Sequence, residues 1–174
     1  MKEPTIRPTG VERTFREDEI IVSKTDTKGI ITYANRTFLQ VALYKEAELL
    51  GQPHSIIRHP DMPRCVFKLL WDTLETGNEI FAYVKNMAKD GAFYWVFAHV
   101  TPTFDSSKRI VGYHSNRRKP DHHQVQAAED LYRKLKQEES RHADWKKGMA
   151  ASTAMLLQVL ASKQIEYDEF VLSI

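Results

Sequence analysis

Cysteine is nearly absent: Cys65 is the single one among 174 residues. An intrachain disulfide and a cysteine-rich zinc site are thereby excluded. Cys65 itself reads as a small buried residue on a helix. Long apolar runs are also lacking. The longest, around Met155 to Ala161, is interrupted by Gln158 and falls well short of the roughly 20 apolar residues a membrane span requires. The start, Met1-Lys2-Glu3-Pro4, has no hydrophobic signal core. We therefore expect a soluble, cytoplasmic protein without direct membrane insertion, which acts at a membrane only through a partner. No excess of one charge exists, with 25 Lys and Arg against 23 Asp and Glu. That balance implies no strongly basic face for nucleic acid. A Walker loop, a Ser-His-Asp set and a metal-binding signature are missing as well, so enzymatic turnover is not expected.

What remains is enough for a core. Hydrophobic residues make up 42% and aromatic residues 10%, as in a folded domain rather than a disordered chain. The length suits one domain with extensions. We expect an N-terminal arm over 1–19 with a short helix near Glu12 to Asp18, a central domain over 20–118, and a helical extension over 119–174. Ile20 to Thr25 and Ile30 to Ala34 read as a hairpin turned by Asp26-Thr27-Lys28-Gly29. Asn35 caps a helix carrying Phe38, Val41 and Ala42 on one face, and a helical turn over Lys45 to Leu50 ends at Gly51. Cys65 to Glu75 has helical spacing. Ile80 to Met87 alternates, with Val84 and Asn86 on one face and Tyr83 and Lys85 on the other. Lys89-Asp90-Gly91 turns it into a long strand, Phe93 to Phe104. Arg109 to Asn116 is the last strand. From His122 the spacing predicts an amphipathic helix to about Lys147, a break at Gly148, and a further helix to about Lys163. This order describes an α+β fold: a five-stranded antiparallel sheet, short helices on one face, and C-terminal helices. If the sheet curls, its helical side encloses a cavity of the kind that holds a small cofactor.

The most distinctive segment is Arg58-His59-Pro60-Asp61-Met62-Pro63. Two prolines stiffen it and push His59 and Met62 out of the α region. A cation, an imidazole and a carboxylate are thus presented in set directions. The competing reading is a helix entry with Asp61 as N-cap.

Asp26 to Asn35 resembles the opening hairpin of a PAS domain. Leu50-Gly51-Gln52-Pro53-His54, continuing through the Arg58 to Pro63 segment, resembles the flavin-binding PAS domain of bacterial aerotaxis and energy-taxis receptors. Val84-Lys85-Asn86, Gly91 with Tyr94-Trp95-Val96, and Gly112-Tyr113 continue the match in order. The resemblance implies non-covalently held FAD whose redox state is read by the protein. It implies Asn35, Arg58, His59 and Asp61 as residues for binding or signalling, and Trp71, Asn86 and Trp95 as pocket residues. It further implies a stand-alone energy-taxis type with a membrane chemoreceptor or other signalling protein as partner. The apolar positions of the C-terminal helices need burial, and a homodimer is expected to supply it. The photoreactive cysteine motif of the light-sensing flavin group is not evident.

Other readings stay open at the level of sequence. His54, His59, His99 and His114 leave room for haem as the alternative cofactor. A cofactor-free interaction module, docking through the helix from His122, is the reading from a different class. The C-terminal helices have two fates in turn: burial in a dimer or partner interface, or folding back on the outer face of their own sheet.

Overall fold

The computed structural model describes residues 6–174; the first five residues of the expected arm lie outside them. The described residues form five strands: β1 (Ile21–Thr25), β2 (Ile31–Ala34), β3 (Ile80–Met87), β4 (Phe93–Phe104) and β5 (Ile110–Arg118). All pair antiparallel in the order β2-β1-β5-β4-β3. Between β2 and β3 lie α1 (Arg36–Ala42), α2 (Glu46–Leu49), a 3-10 turn (His54–Ile57) and α3 (Arg64–Glu75). After the sheet come α4 (His122–Ser140), α5 (Trp145–Lys163) and α6 (Tyr167–Ser173).

Local chemistry accounts for the first hairpin. The Asp26 carboxylate accepts from the backbone N–H groups of Lys28 and Ile30 at 2.8 and 2.9 Å, and Gly29 turns the chain at φ +77°. Asn35 then ties strand to helix. Its Oδ1 accepts from Val22 N and Phe38 N, both at 3.0 Å, and its Nδ2 donates to Ile20 O at 2.7 Å. The cap holds α1 so that Phe38, Val41 and Ala42 are buried against the sheet.

Both faces of the sheet are covered. On the inner side sit α1, α2, the 3-10 turn and α3. The outer side receives α4 and α6 of the same chain: the Tyr132 hydroxyl donates to the Tyr83 carbonyl at 2.8 Å, and its ring stacks on Trp95 at 6.3 Å. Ala128, Leu131, Tyr132 and Leu135 are buried there. The apolar stripe of α4 is thus satisfied within one chain, and a dimer is not needed to cover it.

Three expectations are corrected. No helix forms near Glu12 to Asp18. Instead Glu12 bridges Phe93 in parallel, with Phe93 N donating to Val11 O and Arg13 N to Phe93 O, so the arm lengthens the sheet. The helix after His122 stops at Ser140 rather than near Lys147, because Asp144 starts a new helix by accepting from Lys146 N and Lys147 N. Gly148 is consequently inside α5 rather than a break. It is there for close approach: a Cβ on it would meet the Glu139 carbonyl oxygen at 2.6 Å.

Candidate ligand cavity

Inner-facing residues of the sheet and one stripe of α3 enclose a cavity of 310 Å³. Phe67, Leu70, Trp71 and Leu74 supply the helical wall, at the spacing of a single helix face. Strand alternation supplies the other wall: Ser23 and Thr25 from β1, Val84 and Asn86 from β3, Ala98 and Val100 from β4, and Tyr113, Ser115 and Arg117 from β5. The Gly29 turn and the stretch from Pro53 to Arg58 close the end. Gly29 also makes room for Trp71, whose ring would lie 3.1 Å from a Cβ at that position. Trp71 is held from its other side by an edge contact with Tyr113, centroids 5.3 Å apart.

The electrostatics are one-sided. Lys28, Arg58 and Arg117 line the cavity, and no carboxylate does so among the described residues. Arg117 is 2% exposed. Its Nη2 donates to Ser23 Oγ and its guanidinium lies 4.5 Å from the centre of the Phe38 ring. Burial lowers its pKa to about 10, so it stays cationic at neutral pH. Burial first, and then the Arg117 charge, push His54 down to about 3. His54 is therefore neutral, with Nε2 3.2 Å from Ser23 Oγ and its ring stacked on Phe38. Arg58 sits over the Phe67 ring at 4.1 Å, and its backbone bridges that of Asn86.

The lining suits a ligand with a large apolar surface that also brings hydrogen-bond acceptors or negative charge. The architecture and the cavity agree with a family model described as the PAS fold, which matches residues 31–117. The chain belongs to the PAS fold family. It is 43% identical over 119 residues to the aerotaxis receptor of Escherichia coli (strain K12), covering 68% of this chain and 23% of the relative. The nitrogen fixation regulatory protein of Klebsiella pneumoniae is 30% identical over 94 residues, 54% of this chain and 19% of the relative. The chain thus spans about a fifth of the curated relatives it matches. Among solved structures, the dark structure of the blue-light photoreceptor Aureochrome1 LOV superposes with a TM-score of 0.57 at 24% identity, over 63% of this chain and 82% of that one.

Of the residues expected in the PAS pocket, Arg58, Trp71 and Asn86 line the cavity together. Asn35, His59, Asp61 and Trp95 do not. Asn35 is consumed by the β1–α1 junction. His59 is buried at 3% exposure beside the ring of Phe93, and its Nδ1 accepts from Asp61 N at 3.2 Å. Burial, partly offset by Asp61, lowers its pKa. Trp95 stands opposite Lys85, on the face that meets α4. Asp61 is no N-cap either, because Pro63 fills that position. Its carboxylate reaches Lys85 Nζ at 2.9 Å instead. Lys85 also approaches Glu129 of α4 at 3.5 Å and covers the Phe93 ring at 4.5 Å.

Arg117 is the residue that sequence reasoning missed. The signal is present, since Tyr113, Ser115 and Arg117 alternate, but the expected last strand stops at Asn116, two residues short of the end of β5. In the sequence His54 belongs to the segment that resembles a flavin-binding PAS domain and is a candidate haem ligand, with no sign of its pairing with Ser23, and Ser23 and Phe67 carry no distinguishing mark.

Proposed function

We propose that this PAS protein is a redox or energy sensor that holds FAD non-covalently in the cavity and signals without catalytic turnover. The observation that carries the reading is the cavity itself: partly enclosed by mostly apolar walls, cationic, free of carboxylates among the described residues, and containing a buried arginine with unused donors. Bound FAD would supply reversible electron uptake with a change in the charge of its ring. Asn86 offers both a donor and an acceptor to a heteroaromatic edge. Trp71 provides an apolar wall, and Arg58, braced on Phe67, offers a planar fork to phosphate. Asn35, His59 and Asp61 hold the frame around these groups.

A route out of the cavity supports the signalling role. Asn86 faces inward, and its neighbour Lys85 faces outward to Asp61 and Glu129. A ligand that displaces Asn86 therefore acts on the ion pairs that join the loop, the sheet and α4. Two ligand states bias α4 only by their difference in affinity for its two positions. The relative named an aerotaxis receptor supports a membrane chemoreceptor or other signalling protein as the partner of a cytoplasmic protein. A homodimer would use surfaces other than the buried stripe of α4. No helix among the described residues is long and apolar enough to cross a membrane.

The test is the visible spectrum of the purified protein before and after dithionite. We expect flavin bands that bleach on reduction, and FAD in the heat-released supernatant. A sharp haem band would instead move the reading to His54, the histidine that lines the cavity. A protein that stays colourless after incubation with either cofactor would leave the interaction-module reading.

A further inference from the structure

We propose that Arg117 sets the charge preference of the cavity, so that a flavin ring is bound more tightly in its reduced, singly negative form than in its oxidised, neutral form. This inference rests on the flavin reading above. Arg117 is buried, yet only one of its guanidinium nitrogens has a partner. Nε and Nη1 have no hydrogen-bond partner among the described residues. The hydroxyl of Thr25, elsewhere on the cavity wall, is likewise without one. Burying a cation without a counter-charge is costly, and unpaired buried donors add to that cost. The fold accepts both at this position while placing no carboxylate of the described residues around the cavity.

A ligand that brings an acceptor to Nε and Nη1 relieves the cost, and a negatively charged ligand relieves it most. Arginine also cannot resolve the conflict by giving up its proton at neutral pH. The face of the guanidinium is fixed by Phe38 and one edge by Ser23, so the free edge has a set direction. Reduction takes two electrons from an external donor and one proton from solvent, and leaves the ring with one negative charge. No proton leaves Arg117. The guanidinium thus gains more from the product than from the oxidised ring.

The test is equilibrium titration of the apoprotein with oxidised FAD and, under dithionite at mildly alkaline pH, with reduced FAD. The full chain and its Arg117→Gln and Arg117→Lys variants are compared, with circular dichroism as the check on folding. We expect wild type to prefer reduced FAD. Arg117→Gln should lower that preference at least tenfold, equivalent to a midpoint about 30 mV lower for a two-electron couple. Arg117→Lys, which keeps the charge without the fork, should fall between the two. Because the ratio is measured on apoprotein, a variant that binds FAD weakly still reports. Saturable binding with the same preference in wild type and Arg117→Gln overturns the inference and leaves the flavin reading standing. No saturable binding of FAD to wild type in either state overturns both.

Discussion

Replacing Glu139 with alanine is expected to destabilise the protein by about 3 kcal/mol, because buried N–H groups left unsatisfied cost about 1–3 kcal/mol each. Glu139 is 5% exposed, at the end of α4. Its Oε1 accepts from Arg64 N at 2.5 Å, Cys65 N at 3.2 Å and Ser152 Oγ at 3.2 Å. It therefore caps α3, which has Pro63 at the N-cap and no local side chain for the task. A carboxylate also suits the positive end of a helix. One residue thus joins the helix that walls the cavity to the hairpin of α4 and α5. The same hairpin needs Gly148 against the Glu139 backbone. Glu139→Gln keeps an acceptor and should lose about 1 kcal/mol, the worth of a typical net hydrogen bond. Urea denaturation followed by circular dichroism measures both. A loss below about 1 kcal/mol for Glu139→Ala would show that the latch is not a principal tie.

Acid should unfold the cofactor-free protein well before its carboxylates are neutralised. His54 has an ordinary pKa of 6.5 when unfolded and about 3 in the fold. Above pH 6.5 it is neutral in both states and has no effect on stability. Below that value the unfolded chain binds a proton that the native state refuses, so stability falls with pH through the window from 6.5 to about 3. At about pH 5 the expected loss from this group is roughly 2 kcal/mol, at 1.36 kcal/mol per unit of separation. His59 shifts in the same direction through its own burial. Replacing His54 with Gln should flatten the slope between about pH 6.5 and 5. Urea midpoints across that range, for wild type and His54→Gln, check it. Parallel slopes would mean that His54 finds solvent or a counter-charge that the fold does not reveal.

Much of the fold was legible because its signals are local. The Asp26 to Gly29 turn, the Asn35 cap and the Lys89-Asp90-Gly91 turn each name an element boundary through backbone chemistry. Alternation in Ile80 to Met87 correctly separated Asn86 from Lys85. The parts that were not legible depend on register and on distant chain. Trp95 faces outward because Tyr94, not Trp95, stands opposite Asn86. That assignment requires the cross-strand register as well as alternation. Asp61 read as a cap because no sequence rule places Lys85, 24 residues away, beside it. Glu139 carries no distinguishing mark in the sequence, because its partners on α3 lie 74 and 75 residues earlier. The fate of the C-terminal stripe was undecided for a similar reason. Amphipathic spacing shows that a face needs cover, but not which surface supplies it.

The most direct test of the account is FAD titration of the full chain beside an Ala98→Phe variant. Ala98 is 3% exposed and its methyl group lies on the cavity wall, away from the outer helices. A phenyl ring there should fill ligand space without disturbing α4. The account predicts one FAD per chain for the wild type, and no saturable binding for a variant whose circular dichroism matches wild type. Equal FAD binding by the two proteins would contradict it and place any flavin outside this cavity.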